Sequence, residues 1–268
     1  MKNLFKYKDL LFRLAWKEIR VRYKEPLLGF LWALLVPLFM TIILMFIFTK
    51  VIRVPVSGYP FFIFLATGMF PWNFFSSVIS ASTMSILEGG NLIKKVYFPR
   101  EIIPLSIVLA NAINFIFTLI VVIVFVISFK IKLSFFIFFL PVAFILQVLF
   151  ISGMALLIAG SQVIYRDIKF IVEILLPLWF YMTPIFYPLE LVLNISRGAY
   201  NVYSLNPLVG LVSLYRVSLL GNVYIDSLPG EINIINLIAY SAACSFAVFF
   251  MGYWCFKKRE PVFADLVK

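Results

Sequence analysis

The chain contains no histidine, only 12 acidic residues and two cysteines among its 268 residues. Without histidine it lacks the usual general base at neutral pH and a common metal ligand, which excludes a membrane protease or acyltransferase built on that residue. The few carboxylates lie mostly at the ends of apolar runs, which disfavours a proton- or sodium-coupled transporter, since such proteins use carboxylates within the membrane. We therefore expect no catalytic residue, no metal site and no cofactor bound by this chain.

Other absences narrow the function further. No Gly-x-x-x-x-Gly-Lys-Ser/Thr loop occurs, so the chain cannot itself hydrolyse ATP by the P-loop route. No small-residue cleavage site follows the first apolar run, which begins near Leu27 after a charged arm, so we expect no cleavable signal peptide. Cys244 and Cys255 lie in one apolar run, about 16 Å apart at 1.5 Å per helical residue, which predicts packing residues and not a disulfide.

Apolar residues dominate what is present: 63% of the chain is hydrophobic and 13% is charged. Runs of eighteen or more apolar residues recur, and each is long enough to cross a bilayer core of about 30 Å. The sequence therefore predicts an all-α polytopic membrane protein. Its net charge of +11 does not indicate nucleic-acid binding, because the basic residues cluster at the ends of the apolar runs and act as a topology signal.

The apolar runs predict a single transmembrane domain over residues 1–268. An arm covers 1–26, an outer re-entrant segment covers 189–231, whose central apolar run is too short to cross, and a tail covers 257–268. Six spans are predicted over 30–52, 60–87, 102–129, 135–164, 170–187 and 232–256. Small residues between Ser152 and Ser161 predict close helix packing in the fourth span.

Lysine and arginine set the predicted orientation. Seventeen of the 23 Lys and Arg residues lie in the arm, in two polar islands at 89–101 and 165–169, and in the tail. Because these residues are retained on the cytoplasmic side, we expect all four segments, and both termini, to be cytoplasmic.

The arm is predicted to form a basic amphipathic helix over residues 2–24. Its cations recur every three or four residues on one helical face, while leucines and aromatic residues cover much of the remainder. Such a helix lies in the headgroup plane, where Trp16 and Tyr23 are of the favoured aromatic types. The alternative is a solvated helix packed against a partner.

The first island, Gly89–Glu101, is the densest polar stretch between the arm and the tail. Two glycines end the preceding helix, and Pro99 keeps Phe98 out of the α region. Between them a short amphipathic helix presents apolar residues beside Lys94 and Lys95, a surface suited to contact from the water phase. The alternative is a loop whose lysines only fix the topology.

Aromatic residues are abundant, with 31 Phe, 13 Tyr and 5 Trp. Rings stack on the C–H faces of sugars, and Tyr and Trp add hydrogen-bonding groups, so aromatic clusters on broken helices indicate a polysaccharide path. The alternative for any single ring is an interfacial belt or a lipid-facing position. The rings expected to line the path are Trp32, Phe70, Trp72, Phe74, Phe75, Trp179, Tyr181 and Tyr187.

A series of motifs runs in order along nearly the whole chain, and NLIKKVYFPRE at 91–101 is the most specific of them. The others are WKEIRVRYK at 16–24, LGFLWA at 28–33, PL at 37–38, PWNFF at 71–75, YRDI at 165–168, TPI at 183–185, YP at 187–188 and NP at 206–207. Together these motifs resemble the permease subunit of type-2 ABC exporters, in the branch that exports O-antigen, capsule and teichoic acid chains.

This resemblance implies a homodimeric channel in a bacterial cytoplasmic (inner) membrane, in contact with membrane lipids. It also implies two copies of a separate P-loop ABC ATPase, which carries ATP and Mg, and a polyprenyl-pyrophosphate-linked polysaccharide as cargo. The re-entrant segment would gate the outer side. The implied ATPase-coupling residues are Asn91, Lys94, Lys95, Tyr97, Phe98, Pro99, Arg100 and Glu101. The implied cytoplasmic mouth comprises Arg20, Arg22, Tyr23, Lys24, Leu28 and Gly29. A non-transporting membrane enzyme or scaffold of glycan assembly is the alternative.

Overall fold

The computed structural model describes residues 7–23, 31–53 and 59–263, with the backbone alone described at residues 22, 23 and 33. These ranges contain helices and connections but no strand. The helices are α1 Lys8–Tyr23, α2 Trp32–Phe46, α3 Phe61–Glu88, α4 Gly90–Lys95, α5 Ile102–Ser128, α6 Leu140–Ile164, α7 Ile168–Tyr181, α8 Leu189–Ile195, α9 Arg197–Ser204, α10 Pro207–Leu220, α11 Asn222–Ser227 and α12 Ile234–Arg259. A π-helical turn, Ile47–Val51, continues α2, and short 3-10 turns precede α6 and follow α12.

Five helical segments in the described ranges are long and apolar enough to cross a membrane. They are Leu34–Val51, Phe61–Glu88, Ile102–Ser128, Phe135–Ile164 and Ile234–Val262. Each contains at least 18 residues, and a bilayer core of about 30 Å needs a helix of roughly this length. They confirm the predicted multi-pass, all-helical architecture.

The fifth predicted span differs from expectation. Helix α7 has 14 residues and ends at Tyr181, so it is only about 21 Å long at 1.5 Å per residue. The following residues, 182–188, which we call the proline linker, are not helical. Pro184 and Pro188 lack backbone N–H groups, so each removes a hydrogen bond that a continued helix would need. The described chain thus has five long apolar helices where the sequence predicted six.

Helix α3 forms the centre of the bundle and is buried along most of its length. It packs against α2, α5, α6, α7 and α10. Proline 71 interrupts its hydrogen-bond ladder, and the Gln147 side chain of α6 donates to the Pro71 carbonyl at 2.7 Å. At the periphery, α2 exposes a broad apolar face that includes Phe39, Ile43 and Phe46, so it is available to lipid or to another chain.

Helices α6 and α12 touch through their backbones. A Cβ atom added to Gly153 would lie 2.6 Å from the Phe249 Cα, and one added to Gly252 would lie 2.9 Å from the Gly153 Cα. Real Cβ atoms do not tolerate such distances, so both positions require glycine for this close approach. The close packing predicted from the small residues of the fourth span is confirmed here.

Helix α1 is held against the bundle by protein contacts. Leu10, Leu11 and Leu14 pack on a buried cluster to which α5 contributes Ile102 and Ile103. The opposite side of α1 exposes larger apolar side chains, among them Trp16. The arm is therefore amphipathic, as predicted, but one of its apolar edges packs on the protein and only the other is free to meet a membrane surface.

Candidate coupling face and export path

The first polar island folds as a short helix followed by an extended turn into α5. Helix α4 ends at Lys95, and Val96 is extended, with φ −134° and ψ 135°. A Cβ at Gly89 would lie 2.9 Å from the Ile103 Cδ1 and 3.1 Å from the Ser85 carbonyl oxygen, so the turn from α3 into α4 is closely packed. The predicted short helix is thus confirmed, although it ends before Tyr97 and Phe98.

Tyr97 and Phe98 lie in opposite environments, as alternation of side chains after the extended Val96 would give. Tyr97 is 95% exposed, whereas Phe98 is 5% exposed. Phe98 packs in the cluster that contains Ile86, Ile102 and Phe256. The sequence led us to expect both rings on the contact surface. In the structure Tyr97 is exposed, as are Lys94 and Lys95, whereas Phe98 is buried and fixes the segment to the bundle.

Four charged residues clasp the start of α5 to the end of α12. The Lys257 ammonium lies 2.7 Å from a Glu101 carboxylate oxygen and 2.8 Å from one of Glu260. The Arg100 backbone N–H donates to the other Glu260 oxygen at 3.0 Å, and the Arg100 guanidinium donates to the Glu260 carbonyl. We call this set, Arg100, Glu101, Lys257 and Glu260, the charge clasp.

The charge clasp is partly removed from water. The Glu101 side chain is 2% exposed and that of Lys257 is 33% exposed. A buried carboxylate without a cation is strongly unfavourable, so Glu101 requires Lys257. A cleft of about 470 Å³ adjoins the clasp, and its walls come from the residue before α1, the first island and the tail. Its lining residues are Tyr7, Tyr97, Phe98, Pro99, Arg100, Lys257, Glu260 and Pro261.

The polar islands and the tail lie at one end of the bundle. The clasp joins the first island to the end of α12, and the Arg259 guanidinium donates to the Ser161 hydroxyl at 2.5 Å, one turn before the second island. At the end of that second island, Lys169 lies 4.0 Å from Glu173 of α7 with both side chains exposed, a pair that contributes little stability. This end of the molecule is basic and presents several polar side chains to water.

Only some of the residues expected at the cytoplasmic mouth belong to the described part of the chain. Arg20 is exposed, and its guanidinium lies 5.7 Å from the Trp16 ring centroid. Arg22 and Tyr23 belong to the last turn of α1. Lys24, Leu28 and Gly29 lie outside the described residues, so the mouth remains a prediction.

Four of the rings expected to line a path are instead buried in the core. Phe70, Trp72, Phe74 and Phe75 all belong to the cluster around α3. Phe74 stacks on Phe115 with centroids 4.8 Å apart, and Trp72 meets Phe180 at 5.4 Å. A polymer cannot reach ring faces that other rings already cover, so in this conformation these four are packing residues.

The remaining candidate rings lie at or near the surface. Tyr181 is 63% exposed and Trp32 is 44% exposed. The Tyr187 hydroxyl donates to the Tyr181 carbonyl at 2.8 Å, which fixes the proline linker after α7. Trp179 is half-buried and donates its indole N–H to the Asn206 side-chain oxygen at 2.9 Å. The tryptophan therefore ties α7 to the start of α10, and the surface rings are chiefly Tyr181 and Trp32.

Sequence reasoning missed two features. Lys257 and Glu260 were seen only as tail charges, and their partners lie more than 150 residues away. Arg216 is one of the six Lys and Arg residues outside the arm, the islands and the tail, to which the sequence assigned no role, yet it is fully buried in α10. Its place inside an apolar run was the available signal, since a cation in such a run usually has a specific partner. In the described ranges, no group of His, Cys, Asp and Glu is placed to hold a metal ion.

The long apolar helices of the described ranges and their basic end define the class of protein, a multi-pass helical membrane protein. Residues 9–220 match the family described as ABC-2 type transporter, and the chain belongs to that family. It is accordingly a multi-pass protein of the inner membrane.

Curated relatives extend over most of the chain. The "O-antigen export system permease protein RfbA" of Myxococcus xanthus is 30% identical over 267 residues, which cover 100% of this chain and 98% of the relative. A protein of the same description from Klebsiella pneumoniae is 34% identical over 209 residues, 78% of this chain and 79% of the relative. The "Polysialic acid transport protein KpsM" of Escherichia coli is 27% identical over 251 residues, 91% of each chain.

Proposed function

We propose that this chain is the channel-forming subunit of an ATP-driven exporter, and that it moves a lipid-linked polysaccharide out of the cytoplasm. The observation that carries the proposal is the full-length similarity to a permease described as an O-antigen export protein. The chain would supply the membrane path, and a separate ABC ATPase would supply ATP hydrolysis. The cargo would be an O-antigen-like or teichoic-acid-like polymer on a polyprenyl pyrophosphate.

The coupling contact would be the exposed part of the first island. Tyr97 presents nearly its whole ring to water, and Lys94 and Lys95 flank it. An amphipathic ring framed by cations suits a partner groove that is apolar inside and acidic at its rim. The charge clasp would pass the resulting force to α5 and α12 together, because it joins the first residues of one to the last residues of the other.

The membrane topology that fits this role has six membrane segments with both termini in the cytoplasm. Helix α7 and the proline linker would form the fifth segment, and helices α8 to α11 would form the outer re-entrant part. Lysine and arginine favour this orientation, and the contacts that gather the islands and the tail at one end are consistent with it.

The path for a wide, polar polymer would lie between two copies of the chain. Helix α7 exposes most of its side chains and α2 exposes about half of its own, so each keeps a free face although both pack against α3. Trp32 and Tyr181 stand on these exposed faces. Rings on a path shared by two copies could stack on successive sugars without selecting one register, since each contact is modest.

Deletion of the gene in its host tests the proposal. We expect the deletion strain to accumulate the lipid-linked polymer on the cytoplasmic side and to lose the surface polymer, with both restored by the wild-type gene. An ABC ATPase of the host should co-purify with the protein in detergent. Normal surface polymer in the deletion strain, or a block in polymer synthesis with no intracellular accumulation, would contradict export and favour an assembly enzyme or scaffold.

A further inference from the structure

Arg216 is a cation buried in an apolar environment. It lies in α10, its residue is 0% exposed, and its guanidinium carbon lies 3.7 Å from the centroid of the Phe64 ring. The ion pairs found in the described part of the chain do not include it. A methionine would fill similar space without burying a charge, so packing alone does not account for an arginine here.

The guanidinium donates a hydrogen bond to the proline linker, and Tyr224 of α11 is a second polar neighbour, its ring centroid 6.0 Å from the guanidinium carbon. The Arg216 Nη2 donates to the Ile185 carbonyl at 2.8 Å. Within the described ranges, Nε and Nη1 have no hydrogen-bond partner. The linker therefore supplies the main-chain oxygen that accepts the hydrogen bond of Arg216.

Gly68 of α3 leaves room for this contact. A Cβ at this position would lie 3.2 Å from the Arg216 Nη2 and 3.2 Å from the Ile185 Cα. That separation is tighter than ordinary van der Waals contact, so a larger side chain would press the guanidinium and the linker apart. Three elements thus meet at one point: α3 through Gly68, α10 through Arg216 and the linker through Ile185.

A second set of bonds fixes the start of the same linker. The Asn206 side chain donates to the Thr183 hydroxyl at 3.0 Å and to the Met182 carbonyl at 3.2 Å. Its oxygen accepts from Trp179 and from the Leu208 N–H at the first turn of α10. The linker is therefore attached to α10 at two places, near the start of the helix through Asn206 and further along it through Arg216.

We propose that Arg216 is a positioning residue that holds the proline linker against α3 and α10, so that the linker leaves α10 only when the bond to the Ile185 carbonyl breaks. The role in transport rests on the proposed function, in which the linker and the re-entrant helices close the outer end of the path. In that setting the bond keeps the outer end closed between transport events. Two of the three guanidinium nitrogens have no hydrogen-bond partner in the described ranges, so the bond to the Ile185 carbonyl favours the closed arrangement. Because it is a single hydrogen bond, it can break and form again.

A buried cysteine reports on the linker directly. Ile185→Cys is introduced into a Cys244→Ser, Cys255→Ser background, and its reaction with a water-soluble maleimide is measured in proteoliposomes that contain neither ATP nor polymer. Arg216→Met should increase the labelling rate about tenfold, the scale expected when a hydrogen bond from a charged donor is lost. Arg216→Lys, which can still donate one hydrogen bond, should give an intermediate rate.

The matched control is Arg197→Met, which removes the same charge from the outer helices. Arg197 is exposed and lies 3.8 Å from Glu231 in a surface pair, so its removal should leave the labelling rate unchanged. Gly68→Ala provides a second variant that keeps the arginine, and it should raise the rate by a smaller factor. If Arg216→Met fails to fold, the labelling rate of Gly68→Ala alone tests the proposal: a raised rate supports it and an unchanged rate contradicts it.

An unchanged rate in both Arg216→Met and Gly68→Ala would overturn the proposal, and so would an equal increase in Arg197→Met. The assay needs no transport, so its outcome is independent of the cargo. Failure of the wild-type protein to export polysaccharide would contradict the proposed function while leaving the labelling comparison valid.

Discussion

Removing the Lys257 ammonium should destabilise the protein through Glu101. The Glu101 carboxylate is almost fully buried, and Lys257 at 2.7 Å is its cation. Breaking such a pair from one side costs about 3–5 kcal/mol, and we expect the lower end because Lys257 keeps a third of its side chain in water. Lys257→Met should therefore lower the free energy of unfolding by about 3 kcal/mol.

The second change tests the cause. Glu101→Gln alone should cost about 1 kcal/mol, since the amide retains an acceptor oxygen and Lys257 retains Glu260. In the Lys257→Met, Glu101→Gln double variant no charge is left buried without a partner. We expect it to be more stable than Lys257→Met by about 2 kcal/mol, a coupling typical of residues in contact.

Thermal unfolding in detergent measures the order of the variants. A loss of 1 kcal/mol lowers the Tm by about 2–4 °C in a chain of this size, so Lys257→Met should unfold about 6–12 °C below the wild type. Lys258→Met is the control, because it removes the same charge from an exposed neighbour 5.3 Å from the Trp254 ring. A double variant no more stable than Lys257→Met, or a control equally unstable, would refute the assigned role of the buried carboxylate.

Three further predictions follow from the same geometry. Tyr97→Ala should abolish co-purification of the ATPase with little change in Tm, whereas Phe98→Ala should cost about 3–5 kcal/mol of stability; the reverse pattern would contradict the assignment of the two rings. Gly153→Val should prevent folding or lower the free energy of unfolding by about 3 kcal/mol or more, because α6 and α12 touch there. Gly230→Ala, whose added Cβ meets nothing within 4 Å, should leave the stability unchanged. Tyr181→Ala should shorten the exported chains while leaving assembly and basal ATP hydrolysis intact; full-length export would remove this ring from the path.

Local sequence features predicted much of the helical framework. Long apolar runs with polar ends specify membrane helices through length alone, and glycine and proline mark their interruptions. The short α4 between Gly89 and Pro99 follows from the same rules. The sequence analysis did not foresee that the helix would end at Tyr181, before the prolines of the linker. The run up to Tyr187 is apolar enough to be predicted as one span.

Contacts between distant segments could not be predicted. In a membrane protein both the core and the lipid-facing surface are apolar, so hydrophobic periodicity does not separate a buried ring such as Phe75 from an exposed one such as Tyr181. The pairing of Glu101 with Lys257 likewise has no local signal, since 156 residues separate the two. Both depend on how the helices are arranged, and that information is spread over the whole chain.

ATP-dependent translocation in proteoliposomes tests the central claim most directly. The chain and its ABC ATPase are reconstituted together, the lipid-linked polymer and ATP are supplied on the ATPase side, and the polymer is detected on the opposite side with an impermeant glycan-cleaving enzyme. We predict that cleavage requires ATP and is abolished by Tyr97→Ala. Cleavage that proceeds equally without ATP, or none with ATP although the complex is intact and hydrolyses it, would contradict an exporter driven through this coupling face.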